Sequence, residues 1–396
     1  MTRVRRRAGH SALLTLCALG AVLEATAATR GRVIDLNGQG LPGAMVTLTR
    51  SPQAQGPTAL TVFTDEHGSF ALPSAAPVGT LSVRLLGYRQ VASGSPVATA
   101  ADVTLLMRPE ANQAGTAPAS AYLRGARDAD REVLVDTCVG CHQLPAPEVR
   151  DYAKLLDDTP QTQTPAAREQ SWEAVVQQMN YISAREFGRA GGPPSRESVY
   201  SGGEQVNGLS MSPDRMHVWY CQVGIGSFGS FNTESLKFET QVSLPSPTSG
   251  PRRMSMSDDG VLYLALYGAG QLAAYDTRAL KMIGIYDLPD RASAPYSTTW
   301  DPQRKVVWIT TSNADVIYRF DPKTRSIGVL PLPRERAFLR SVNVDRKTGA
   351  LVTSYANIVE HVRGPRMALV IDLGDMPAAP TGTASRATPN LAGASR

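Results

Sequence analysis

A leucine–proline pair returns every 44 residues in the second half of this chain: Leu244-Pro245, Leu288-Pro289 and Leu332-Pro333. Other positions keep nearly the same step. Tyr263 aligns with Trp308, and Tyr275-Asp276-Thr277 with Phe320-Asp321-Pro322. One unit earlier, Leu209-Ser210-Met211-Ser212-Pro213-Asp214 matches Arg253-Met254-Ser255-Met256-Ser257-Asp258-Asp259. A repeat of this length, made of short apolar strands, cannot bury its own apolar face and has to stack on its neighbours. It is the sequence mark of propeller blades. Residues 191–375 are therefore expected to form a β-propeller of about four blade repeats.

The strongest chemical signal lies outside the repeat. Cys138-Val139-Gly140-Cys141-His142 is a Cys-x-x-Cys-His run, the pattern of covalent c-type haem attachment. The thiols of Cys138 and Cys141 can add across the haem vinyl groups, and His142 can reach the iron from the proximal side. With 4 Cys and 5 His in 396 residues, chance would yield such a run in roughly one chain in two thousand. A redox Cys-x-x-Cys pair needs no following histidine, and a zinc site needs more ligands close by than this sequence offers. One haem c is the expected cofactor.

Haem c is attached outside the cytoplasm, and the start of the chain agrees with export. Arg3, Arg5, Arg6 and Arg7 precede an apolar run from Ser11 to Leu23, and Ala25 to Ala28 supply small residues for cleavage. Residues 1–28 read as a secretory signal peptide, too short in its apolar run to span a membrane, so the expected location is periplasmic or secreted. These residues hold four arginines against Glu24, so without them the formal charge of +5 drops to about +2. No basic stripe remains to argue for nucleic acid. Cys17 leaves with the signal and two thiols go to haem. Cys221, behind Val218-Trp219-Tyr220, is expected as a buried strand residue.

Residues 29–108 alternate apolar and polar positions between turn residues, the pattern of a small antiparallel β-sandwich. The run Gly31-Arg32-Val33 is followed by Gly40-Leu41-Pro42-Gly43-Ala44-Met45-Val46, Thr64-Asp65-Glu66-His67-Gly68-Ser69-Phe70 and Leu86-Gly87-Tyr88. With these motifs the segment resembles the carboxypeptidase regulatory-like (transthyretin-like) domain. That resemblance implies a structural, carbohydrate-binding or protein-binding accessory. Asp65 and His67 are turn residues on this reading.

An Ala/Pro/Gly/Ser-rich linker at 109–120 leads to helical patterning over 121–190. Arg127 to Thr137 is expected as a helix running into the haem motif, and Thr164 to Ile182 as a second, with Pro165 in its first turn. Trp172, Val175, Val176, Met179 and Ile182 share one apolar face. Helices around a haem motif resemble a minimal class I cytochrome c. Leu134 and Asp130 depart from that family, which has an aromatic and a small residue there. The family resemblance also implies a distal methionine on a Trp-x-x-Val-Val-x-x-Met helix, which Trp172 to Met179 fits. Met179 is the expected second iron ligand, and the carbonyl of Leu144 or Pro145 the expected partner for the ring N–H of His142.

In the repeats, Ser246-Pro247-Thr248-Ser249-Gly250-Pro251-Arg252 and Tyr318-Arg319-Phe320-Asp321-Pro322-Lys323-Thr324 are similar to the virginiamycin B lyase type of propeller. That lyase needs a histidine, acidic residues and a divalent metal. Here only His217, and His361 beside Glu360, are on offer. Arg252, Arg253, Arg336 and Arg340 recur at blade starts and are expected to line one face. Residues 376–396 read as a disordered tail. The fold expected is thus multidomain and mainly β, with a sandwich, a small all-α cytochrome c-like domain and a propeller. The leading function is periplasmic electron transfer through one haem c, with a redox partner protein or small-molecule reductant. The alternatives are a haem-dependent dehydrogenase of a small molecule, and a lyase or carbohydrate-binding protein. No integral membrane segment is expected in the mature chain.

Overall fold

The computed structural model describes residues 29–50, 59–72, 79–91, 95–97, 102–110, 117–140, 142–160, 164–187, 206–355, 368–373, 382–383 and 386–387. The expected signal peptide, Cys141, Glu360 and His361 lie outside them. The chain forms two compact units, one ending at Ala111 and one beginning at Asn112.

The first unit is a sandwich-like pair of four-stranded sheets. Its strands are β1 (Arg30–Ile34), β2 (Met45–Arg50), β3 (Ala59–Phe63), β4 (Ser69–Ala71), β5 (Gly79–Arg84), β6 (Tyr88–Gln90), β7 (Ser95–Val97) and β8 (Asp102–Pro109). The sheet orders are β4-β1-β8-β6 and β3-β2-β5-β7. One pairing departs from the antiparallel expectation: β1 and β8 run parallel. Val33, Val46, Leu48, Phe70, Leu81, Leu105 and Met107 fill the space between the sheets. Thr64 closes one corner, its hydroxyl donating to the Leu41 carbonyl at 2.6 Å and accepting from the Ala44 amide at 2.9 Å. Asp65 accepts from the His67 and Ser69 amides, the turn role expected of it.

The second unit opens with three helices, α1 (Asp128–Cys138), α2 (Pro147–Asp158) and α3 (Pro165–Phe187). Sequence reasoning anticipated the first and third and missed α2. Only Leu156 of α2 is buried, so little apolar signal marked it, although Pro147 occupies the first turn, where its missing N–H costs nothing.

Four antiparallel sheets follow. The first holds β9 (Val206–Met211), β10 (His217–Gln222), β11 (Ser227–Asn232) and β12 (Lys237–Ser243). The second holds β13 (Pro251–Met256), β14 (Val261–Leu266), β15 (Gln271–Asp276) and β16 (Lys281–Asp287). The third holds β17 (Pro295–Asp301), β18 (Val306–Thr311), β19 (Val316–Asp321) and β20 (Ser326–Pro331). The fourth holds β21 (Leu339–Val344), β22 (Leu351–Tyr355) and β23 (Ala368–Ile371). Strands lie in sequence order within each sheet. First strands touch in series, β9 to β13, β13 to β17 and β17 to β21. No closed propeller ring is formed among the described residues. Two pieces of the expected disordered tail also pair: Gly382–Thr383 with β20 and Arg386–Ala387 with β16.

The 44-residue step has a physical cause. After the last strand of each of the first three sheets, the repeated leucine is buried, and its amide donates to a loop carbonyl between the second and third strands. Leu244 bonds Gly226, Leu288 bonds Gly270, and Leu332 bonds Asp315. At the end of each third strand, Asn232, Asp276 and Asp321 accept from the two backbone amides that turn the chain. This is the Asx-turn role of such residues. Apolar clusters fill the gaps between successive sheets, with Trp219, Phe228, Leu264 and Tyr275 in the first, Tyr263, Ile309 and Phe320 in the second, and Trp308, Leu339 and Leu351 in the third.

Candidate functional site

Helix α1 carries the cysteine–histidine motif at its C-terminal end. Asp128 and Asp130 lie in its first turn, where carboxylates meet the positive end of the helix. Val135 and Val139, four apart, share one face and are fully buried. They pack with Tyr267, Tyr296 and Phe338 of the sheets in one cluster. Burial of a valine side chain contributes about 1.5–3 kcal/mol, so this face anchors the helix to the sheets. The neighbouring face, also spaced by four, carries Leu134 and Cys138, both exposed.

His142 lies four residues beyond Cys138. Its Nδ1 is 2.7 Å from the carbonyl oxygen of Gln143. With Nδ1–H donating there, the ring lone pair falls on Nε2, the tautomer a metal-binding histidine needs. The expected acceptor was Leu144 or Pro145. The Leu144 carbonyl is instead taken by Asn313 Nδ2 at 3.0 Å, while the Leu144 amide donates to Asn313 Oδ1 at 2.7 Å.

Asn313 is one of several side chains through which the sheets grip the motif. Tyr267 Oη donates to the Val139 carbonyl at 2.8 Å. Arg340 Nη2 donates to the Gly140 carbonyl at 2.9 Å. Gln143 Nε2 donates to Asp315 Oδ1 at 3.2 Å. Ser246 and Thr248 hydroxyls donate to Glu132 Oε2 on α1 at 3.0 and 2.9 Å. Arg124, before α1, pairs with Asp290 at 3.0 Å. Sequence reasoning singled out none of Tyr267, Asn313 and Asp315. Their signal is positional: Tyr267-Gly268 and Ser312-Asn313 fall at the same point of the repeat, in the loops after β14 and β18.

Close approach of α1 also needs glycine in one of these loops. A Cβ on Gly268 would lie 2.1 Å from the Thr248 carbonyl oxygen and 3.2 Å from Asp136 Cβ. The Thr248 backbone would have to shift, and the Thr248 hydroxyl is bonded to Glu132 of α1.

Three of the four arginines expected on one face gather around Tyr296, and Arg340 reaches the motif. Arg252, Tyr296 and Arg340 stand at successive 44-residue steps. The Arg252 and Arg340 guanidiniums lie 5.4 and 5.3 Å from the Tyr296 ring centre, and Arg253 lies 5.2 Å from it. Arg252 also covers Tyr267 at 4.0 Å, and Arg340 covers Phe338 at 5.6 Å. Arg336 points elsewhere and pairs with Glu148 of α2 at 3.3 Å.

Other sequence-predicted residues are scattered. Met179 sits on α3 with its side chain exposed, as is that of Val176, whereas Trp172 and Val175 are half-buried. The apolar face expected for this helix is therefore only partly covered. Its described contacts run to α2, through an edge-to-face Tyr152–Trp172 pair 5.6 Å apart and the Arg168–Asp157 ion pair. His217 Nε2, on β10, lies 2.9 Å from Glu239 Oε2 on β12, two strands across the same sheet. Among the described residues, no three His, Cys, Asp or Glu side chains gather as a metal site. Cys221 is fully buried in the first sheet, as expected, and burial pushes its thiol up to about 11. No helix among the described residues is long and apolar enough to cross a membrane.

Residues 28–108 match the family model of the Carboxypeptidase regulatory-like domain, which assigns the N-terminal sandwich to that class of module. No curated protein matches the chain. Among solved structures, virginiamycin B lyase from Staphylococcus aureus is similar at 24% identity, covering 38% of this chain and 48% of that one, with a TM-score of 0.35. A catalytically inactive variant of that lyase with quinupristin gives 20% identity, 43% and 56% coverage and a TM-score of 0.36. Hydrazine synthase from Kuenenia stuttgartiensis gives 17% identity, 42% and 46% coverage and a TM-score of 0.37. The chain spans about half the length of each of these proteins.

Proposed function

We propose that the helical segment carries one covalent haem c and that the protein is an exported electron carrier. In this reading Cys138 and Cys141 take the thioether bonds, His142 Nε2 the proximal position and Met179 the distal one. The haem, when bound, supplies a reversible one-electron couple whose potential the ligands and surroundings set. The observation that carries the reading is the state of His142 within a Cys-x-x-Cys-His run: Nδ1 is committed to the Gln143 carbonyl, which leaves Nε2 as the ligating nitrogen. Two further features support it. Cys138 is exposed at the end of α1, and the apolar side chains of Leu134, Val176 and Met179 are exposed on the helices, ready to be covered by a large apolar group.

The four sheets act in this reading as propeller blades that fix the motif and meet a redox partner protein or a small reductant. The N-terminal module is an accessory, with carbohydrate as a candidate ligand class. A pyridine haemochrome spectrum of protein exported to the periplasm tests the proposal. One covalent haem per chain is expected, and its absence overturns the reading. A Met179→Ala variant should shift the spectrum of the oxidised protein; an unchanged spectrum removes Met179 from the iron. Haem reduction by small molecules without a partner protein would mark the chain as a dehydrogenase.

A further inference from the structure

The sheets touch the motif with charge as well as shape. Arg340 donates to the carbonyl of Gly140, which lies between the two motif cysteines and two residues before His142. Its guanidinium belongs to the Arg252–Tyr296–Arg340 stack that the repeat builds, with Arg253 beside it. Arg340 is half-buried, and its Nε makes no hydrogen bond. Two carboxylates of this region serve other partners: Asp315 accepts from Gln143 and the Ala337 amide, and Glu132 accepts from Ser246 and Thr248. A cation in a partly desolvated position acts over several ångströms with little screening.

From this geometry we infer that Arg340 is a positioning residue of the redox centre, which clamps the attachment loop from the sheets and stabilises the reduced iron by its charge. The inference rests on the haem reading above. The sign follows from charge alone. Reduction adds one negative charge to the haem, so a fixed cation nearby favours the reduced state and raises the potential. Arg253, whose guanidinium is exposed, adds to the same field more weakly. The sheets thereby become part of the electron-transfer site and not only its scaffold.

The experiment is spectroelectrochemical titration of exported holoprotein, after a haemochrome measurement on the same sample. Loss of haem from the wild type refutes the haem reading itself and is read before any variant. With haem present, Arg340→Gln is expected to lower the midpoint potential, and Arg340→Lys to keep most of it. Tyr267→Phe, which removes a loop hydrogen bond but no charge, is expected to leave the potential near that of the wild type. A haem-loaded Arg340→Gln with wild-type potential overturns the inference, as does an equal fall in Tyr267→Phe. Should Arg340→Gln load no haem, Arg253→Gln carries the test: a smaller downward shift is expected, and an unchanged potential overturns the inference.

Discussion

Replacing Asn313 with alanine should loosen the motif loop from the sheets. The side chain is fully buried and makes three hydrogen bonds. It accepts from the Leu144 amide at 2.7 Å and donates to the Leu144 and Ala292 carbonyls at 3.0 and 3.1 Å. Leu144 is half-buried, so water can reach its freed groups, and each of those bonds is worth about 0.5–1.5 kcal/mol. Ala292 is buried, and its unsatisfied carbonyl costs about 1–3 kcal/mol. Together the loss is about 2–6 kcal/mol, with about 4 as the central figure. For a unit of this size each kcal/mol lowers Tm by about 2–4 °C, so a fall of about 8–16 °C is expected by calorimetry. Hydrogen exchange gives a local readout: the Leu144 amide should lose protection at once. Asn313→Asp keeps the acceptor but sets a carboxylate against two carbonyls. It should be at least as damaging at neutral pH and recover in part as acid protonates it. A melt within about 1 °C of wild type, with the Leu144 amide still protected, would refute the claim that Asn313 holds this loop.

Other perturbations probe the packing around it. Gly268→Ala places a methyl group against the Thr248 carbonyl, and urea denaturation should register a loss of about 1–3 kcal/mol. Burial alone would raise the Asp301 carboxyl, but the Trp308 indole N–H, the Arg304 amide and the Arg304 guanidinium outweigh it and hold the group below its ordinary value. Its stabilisation is therefore full above the ordinary carboxylate range and is lost as pH falls through the depressed value. Asp301→Asn should cost about 1.5–3 kcal/mol at pH 7, and its gap from wild type should narrow in acid denaturant titrations. In haem-free protein, a thiol alkylating agent should label exposed Cys138 and spare Cys221 until the chain is unfolded, as mass spectrometry would report.

The sheets were legible in the sequence because each unit solves the same backbone problem with the same residues. Leu244, Leu288 and Leu332 all satisfy a loop carbonyl, and Asn232, Asp276 and Asp321 all close a turn. The cysteine–histidine motif is a local pattern, which needs no fold to be read. Its partners were not legible. Tyr267, Asn313 and Arg340 meet it across 128, 169 and 200 residues, and nothing in a linear pattern says which loop of a repeat reaches which helix. The apolar spacing of α3 suggested a buried face, yet spacing alone does not supply the element that covers Val176 and Met179. Helix α2 escaped because its sequence buries almost nothing.

The grip on the motif has a consequence for the order of folding. Side chains that lie so far downstream do not exist as partners until most of the sheets have been made, and distant contacts form late because chain closure has to come first. Helix α1 and its loop therefore spend the early life of the chain without their clamp, with both cysteines reachable. Docking of the sheets then fixes the loop backbone, while Cys138 stays exposed. The repeat works as a timer as well as a scaffold: it leaves the loop backbone free first and holds it afterwards.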